Sequence, residues 1–359
     1  MSEKIKEVHV ENETNRDDKI QVERAKMNII YVGIASVVMF FGGMTSAYIV
    51  SMGDAFWIKF PLPTAFWVST AIIATSSVVL QLTIAAVRKG NIKGLKIGAV
   101  TTLLLGFGFV YTQFQGYSQL AEKGSHMTGS GIIVSDGKYD AYFAVKQGKE
   151  FIVVDGNDYI KLGKVLTKSE MESLKKYMKQ FLKPDLKKNF KVKNDGIHTL
   201  YWENQEMNVV DGELITNDTL KMESVDRVRL SYLARNIQDG RGDFFMKGKF
   251  GKDFHVFYKG VEMGYKNGGL TYKGKQLDVY LQVKAVESAD TASSFLWAIT
   301  IAHLLHIIAT LLYMVRIVRF SFSGKINQEN NVRLRMGAVF WHFLGLLWIF
   351  LLLFLLFIH

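Results

Sequence analysis

Five stretches of this sequence are apolar over lengths that cross a bilayer, for which roughly 20 residues at helical rise suffice. They run Met27–Met52, Thr64–Val87, Leu95–Tyr117, Ser293–Val315 and Met336–Ile358, and Lys96, near the start of the third, is their one charged residue. A charge at the bilayer centre costs about 2.5–3.5 kcal/mol or more, so the pattern predicts five transmembrane helices. Pro61 and Pro63 fall between the first two, where they break no helix hydrogen bond. A polar stretch, 118–292, separates the third from the fourth. Inside it Thr167 and Glu170 make a capping box ahead of an apolar stripe at Met171, Leu174, Met178 and Phe181, and Pro184 ends that helix. The rest of the stretch reads as strands: Phe151–Val154 before Asp155-Gly156, Met207–Val210 before Asp211-Gly212, and Phe254–Met263 pairing with Leu270–Val283 across Asn267-Gly268. The expectation is a membrane all-α domain of five helices with an inserted α+β soluble domain of mostly antiparallel strands.

Charge orients this arrangement. The 33 Asp and Glu residues lie in 1–26 and 122–290, apart from Asp54 and Glu329. Lys and Arg crowd the first tail (Lys4, Lys6, Arg16, Lys19, Arg24, Lys26), the second loop (Arg88, Lys89, Lys93, Lys96) and the last loop (Arg316, Arg319, Lys325, Arg333, Arg335), whereas the first loop has only Lys59. The positive-inside rule then puts residues 1–26 in the cytoplasm, 118–292 and the C-terminus in the periplasm, and residues 27–117 and 293–359 in a bacterial inner membrane. The charged tail and the lack of a cleavage-like site make the first span an anchor. The net charge of +11 is thus a matter of topology and carries no case for nucleic acid. With no Cys, the chain forms neither disulfides nor thiolate metal centres.

Polar residues within the spans are the candidate functional ones, because each must be satisfied inside the bundle. They are Ser76 and Ser77 in the second span, Gln113 in the third, His303 and His306 on one face of the fourth, and Trp341, His342 and Trp348 in the fifth. Three histidines could ligate a metal. Interhelical hydrogen bonding is the simpler reading, since no carboxylate lies in a span to orient the imidazoles. Gly42 with Ser46, Gly43 with Ala47, and Gly98, Gly106 and Gly108 offer close-packing faces. In the insert, His126, His198 and His255 are scattered and read as ordinary histidines. Its Asp-Gly pairs read as turns, because no loop has the alternating carboxylates of a calcium site. Arg241-Gly242-Asp243 reads as a chance tripeptide.

The spans resemble, in order, those of five-helix bacterial haem-copper (cytochrome c) oxidase subunit III. The residues that carry this are Phe40-Phe41-Gly42-Gly43 with Ala47-Tyr48; Trp67-x-Ser69-Thr70 with Ser76-Ser77; Leu105-Gly106-x-x-Phe109-x-x-x-Gln113-x-x-x-Tyr117; and Ser294-Phe295, Thr300, His303-x-x-His306 and Trp341-His342-Phe343-x-x-x-x-Trp348. Three family carboxylates are replaced, by Val37, Gly116 and Gly345, so a role for the first as a membrane acid does not transfer. The resemblance covers the membrane half and leaves 118–292 unexplained. It implies a non-catalytic subunit with no cofactor of its own. Haem and copper would sit in partner subunits I and II, phospholipid would be bound, and Arg316 and Arg319 are candidate lipid contacts.

Quinol-oxidase subunit III and a nitric oxide reductase accessory protein share these motifs and stand as alternatives. A membrane-anchored periplasmic binding or sensor protein is the alternative of another class. The insert is expected to dock a periplasmic partner: a further oxidase subunit, cytochrome c or an upstream quinol-oxidising complex. A supercomplex is one form this would take.

Overall fold

The computed structural model describes residues 2–54, 56–127, 143–185, 187–216, 222–242, 249–266, 269–288 and 291–358. Its helices are α1 (Ser2–Asp54), α2 (Thr64–Arg88), α3 (Ile92–Glu122), α4 (Lys168–Met178), α5 (Ser224–Asp239), α6 (Val279–Ser288), α7 (Thr291–Phe322) and α8 (Val332–Phe357). Five of them, α1, α2, α3, α7 and α8, are long and apolar enough to cross a membrane. The chain divides into two compact units. One holds Met1–Ile49, Leu62–Gln119 and Phe295–His359, and the other holds Val50–Pro61 and Leu120–Ser294.

The first unit is the helix bundle. Its buried face on α2 repeats at Phe66, Ser69, Ile73, Ser76, Leu80 and Val87, the three-to-four spacing of a helix packed on one side. Close approach is real at some of the predicted small residues. A Cβ on Gly98 would fall 1.9 Å from Thr83 Oγ1, and one on Gly106 would fall 2.3 Å from Leu311 Cδ2. Gly42 and Gly43 correct the expectation: they are exposed, and a Cβ on either would meet nothing within 4 Å. Gly108 is nearly as open, with Ile72 at 4.0 Å. The reason is that α1 buries little of itself, so its small-residue stripe faces no helix of this chain. Gly98→Ala is accordingly expected to cost about 1–3 kcal/mol by overpacking, read as a lower unfolding midpoint in detergent, while Gly42→Ala leaves that midpoint unchanged.

The second unit is sheet-rich. All strand pairs in its sheets are antiparallel. The largest sheet has five strands and orders Glu150–Phe151, Phe143–Gln147, His198–Trp202, Gln205–Val210 and Glu213–Thr216. It packs with α4 and α5 around one core that includes Val145, Leu174, Met178, Phe181, Leu200, Leu230 and Ile237. The capping box at α4 is present: Thr167 Oγ1 accepts from Glu170 N, and the Glu170 carboxylate accepts the Thr167 N–H. Its ion pair with Lys161, aided by those bonds, pulls the Glu170 carboxyl from 4.5 down to about 2.

Two details depart from expectation. Strand Phe254–Met263 folds on itself: His255–Tyr258 pairs with Val261–Glu262 through Lys259-Gly260, both at positive φ, a two-residue turn suited to strand twist. Residues Val279–Val283, expected as the end of a strand, instead open α6. The Asn267-Gly268 turn lies outside the described residues, while Gly264–Lys266 and Gly269–Tyr272 on either side of it do pair. The predicted turn at Asp211-Gly212 is found, with Val210 opposite Glu213.

The first loop supplies the least expected element. Trp57–Lys59 is a strand that pairs with His255–Tyr258, Trp57 opposite Phe257 and Ile58 opposite Val256. Phe56, Trp57, Ile58 and Phe60 are each at most 2% exposed, and Phe56 stacks on Tyr258 at 4.7 Å. The chain on either side of the polar stretch is joined at Ser125 and Ser293, whose hydroxyls are 2.8 Å apart and buried; Ser293 also donates to the His126 carbonyl at 2.8 Å.

Candidate functional site

Most of the polar residues singled out in the spans converge inside the bundle. Serine and threonine in a helix donate their hydroxyl proton back to a carbonyl three or four residues earlier. On α2 this happens at Ser69 and Thr70, both to Phe66 O (2.8 and 2.7 Å), and at Ser76 to Ile73 O (2.8 Å). Each hydroxyl is thereby oriented with a lone pair free, and each takes one donor from another helix. Trp341 Nε1 donates to Ser76 Oγ at 2.9 Å, Trp348 Nε1 to Thr70 Oγ1 at 2.9 Å, and Gln113 Nε2 to Ser69 Oγ at 2.8 Å.

The two tryptophans form rungs between antiparallel helices. Seven residues on α8 rise about 10.5 Å and six on α2 about 9 Å, so Trp341 and Trp348 reach Ser76 and Thr70 in register. His303 adds a bond from α7: its Nε2 donates to Leu344 O on α8 at 3.0 Å. Its ring is fully buried, 5.2 Å from Trp348 and 6.0 Å from Phe109. Phe66 and Phe109 meet Trp348 edge-on at 5.4 and 5.6 Å, with interplanar angles of 87° and 90°. Edge-to-face packing sets positive ring edges on negative faces, and it adds about 0.5–1.5 kcal/mol per pair beyond burial. The result is a four-helix lattice of α2, α3, α7 and α8, closed by aromatic side chains.

The remaining candidates stand apart from it. His306 donates Nδ1–H to Ala302 O of its own helix at 2.7 Å. His342 is half-buried, and its Nε2 makes no hydrogen bond. Ser77 lies along Gly345, where a Cβ would come 3.4 Å from its hydroxyl. His303 and His306 each spend a ring nitrogen as a donor to a carbonyl, so that nitrogen has no lone pair for a metal. Among the described residues no group of three or more His, Asp or Glu side chains is placed to hold a metal ion. Arg316 and Arg319 are exposed. In the second unit, His198 is buried, stacks on Tyr177 at 5.1 Å and donates to Asp195 at 2.6 Å. His255 meets Glu262 at 2.6 Å. Ser69 and Thr70 belong to the site and were not among the candidates. Their signal was available, as hydroxyls six or seven residues before Ser76 and Ser77 on one helix.

No family model matches the chain. Over 112 residues it is 31% identical to a probable cytochrome c oxidase subunit 3 from Nocardia farcinica (strain IFM 10152), a match covering 29% of this chain and 55% of that protein. The chain thus spans about half the length of the curated relative it matches. With five helices fit to span a membrane and a separate sheet-rich region, it is a multi-pass membrane protein similar, over part of its length, to subunit III of cytochrome c oxidase.

Proposed function

We propose that this chain is the third, redox-free subunit of a respiratory haem-copper oxidase in a bacterial inner membrane. In this reading it packs against subunits I and II, which carry haem and copper, and binds phospholipid near Arg316 and Arg319. Residues 118–292 lie in the periplasm and dock a partner there. The observation that carries the reading is the similarity to a probable cytochrome c oxidase subunit 3. The polar lattice supports it, because it is built by the residues of the subunit III-like motifs, Ser69, Thr70, Ser76, Gln113, His303, Trp341 and Trp348.

A lattice whose donors are spent on holding helix to helix suits a scaffold, although Gln113 Oε1 and His303 Nδ1 are buried in it without a hydrogen-bond partner. Its chemistry is to hold helices, and no group in it is poised to move an electron. Removing the chain from the complex is therefore expected to leave the first seconds of oxygen consumption near normal and to shorten the time over which turnover persists. Oxygen-electrode traces of membranes with and without the chain test this. Complete loss of initial activity in a complex that still contains its haem would overturn the scaffold role.

A further inference from the structure

The weak overall charge of the insert, 28 Lys and Arg against 24 Asp and Glu over 118–292, hides a concentrated patch. Between residues 176 and 193 there are seven lysines, Lys176, Lys179, Lys183, Lys187, Lys188, Lys191 and Lys193, and one carboxylate, Asp185. All seven are exposed, and none is in an ion pair among the described residues. The remainder of the insert is slightly acidic.

The fold gathers these lysines. They leave the end of α4, pass Pro184 and return alongside it: Gln180 Oε1 accepts the Lys193 N–H at 3.0 Å, and Phe181 meets Phe190 edge-on at 5.3 Å. Phe190 and Val192 are buried, so Lys191 and Lys193 alternate outward. Asp185 offsets only a little of this charge: its Oδ1 accepts the backbone N–H of Lys187 and Lys188 at 2.8 and 3.3 Å, it makes no ion pair among the described residues, and Lys188 and the buried Arg227 are the cations that act on it. Glu213, opposite Lys191 in an isolated bridge, is the nearest strand neighbour of opposite charge.

We propose that this lysine face is the insert's docking surface and that its partner is a carboxylate-rich face of another protein. Charge complementarity names the sign of the partner, and three further observations narrow its kind. The patch is all lysine, a point charge on a flexible stem, without the arginine forks that read phosphate bidentately. Its aromatic residues, Tyr177, Phe181 and Phe190, are buried, so no ring is free to stack a base. Among the described residues, no large exposed apolar side chain lies between Val165 and Ile197, where insertion into a bilayer would call for one. Like charges held together without partners repel, and an acidic surface relieves that repulsion while steering association. The proposal rests on the docking role given above to residues 118–292 and is independent of the oxidase assignment.

The test uses the full chain in its native membrane. A water-soluble carbodiimide joins a lysine amine to a carboxylate at zero length, and mass spectrometry reads the linked peptides. Links from the patch to an Asp- or Glu-rich segment of one other chain are expected. They should disappear in 1 M salt, where the Debye length is about 3 Å. They should also disappear in the combined Lys183→Ser, Lys187→Ser, Lys188→Ser and Lys191→Ser variant, with the folded insert confirmed by unchanged trypsin resistance elsewhere. In parallel, amine acetylation is followed on the purified chain in nanodiscs of phosphatidylcholine, with and without phosphatidylglycerol. Protection of the patch relative to Lys252 and Lys266 only when the anionic lipid is present would overturn the proposal in favour of a membrane surface. Absence of intermolecular links from the patch in native membranes would overturn it outright. If deleting the insert releases a partner that the serine variant retains, docking stands and this face is not the one used.

Discussion

Trp341→Ala is expected to lower the stability of the bundle by about 3–5 kcal/mol, and Trp341→Phe by only about 1 kcal/mol. The indole is fully buried and reaches Ser76 with its N–H and Gly106 with its ring edge, where a Cβ would lie 3.0 Å from Trp341 Cη2. Truncation to Ala removes the packing and leaves a cavity between α3, α7 and α8. Phe keeps most of the volume and loses the hydrogen bond, and such bonds average about 0.6 kcal/mol inside membranes and reach about 1.7. Packing thus outweighs the hydrogen bond as the source of cohesion, while the bond fixes which residues face each other. Denaturation of the purified chain in mixed micelles, followed by tryptophan fluorescence, measures both variants. A Phe variant as unstable as the Ala variant would show that the hydrogen bond, and not packing, dominates.

Ile58→Asp is expected to unfold the part of the second unit built on His255–Tyr258, although position 58 lies between the first two spans. Ile58 is completely buried in the middle of a strand paired with that segment, and a carboxylate there would be charged without a partner. Substitutions of this kind belong to the class that costs about 4–5 kcal/mol or more. Trypsin added to the purified chain in mild detergent reads the outcome, because lysines at 249, 252, 259, 266, 273 and 275 become cleavable once the segment opens. The variant should be cut there much faster than the parent chain, and Lys59→Ser, at a half-buried position of the same strand, should not. Equal resistance of Ile58→Asp and the parent would refute the role of the first loop in that core.

Much of this architecture is legible in the sequence, and the limits have physical causes. The five spans are visible because the cost of burying charge in a bilayer excludes it for some twenty residues at a time. α4 is visible because Thr167 and Glu170 announce its start. α5 is not, since its cap is Glu223, with the Asp226 carboxylate accepting the Glu223 N–H at 3.1 Å, and acids are far commoner than capping serines as plain surface residues. α6 is misread as strand because Val279, Tyr280 and Val283 favour strands, and only tertiary context overrides that preference. The Trp57–Lys59 strand is hidden because its partner lies about two hundred residues away, a pairing no local pattern encodes. At the site, the need for Ser76, Gln113, His303, Trp341 and Trp348 to be satisfied is plain from their place in apolar spans. Which donor meets which acceptor is not, because that depends on helix order and register. His306 and His342 show the limit of the argument: they share the same apolar surroundings yet lie outside the interhelical lattice.

The assignment to an oxidase stands or falls on what the chain binds in its own membrane. The direct measurement is to tag the full chain, extract it in a mild detergent, and record a reduced-minus-oxidised spectrum with mass spectrometry of the purified material. The account predicts haem absorption together with peptides of a haem-copper subunit I and a subunit II. Recovery of the intact chain with no haem and neither subunit, from cells that are respiring on oxygen, would contradict it.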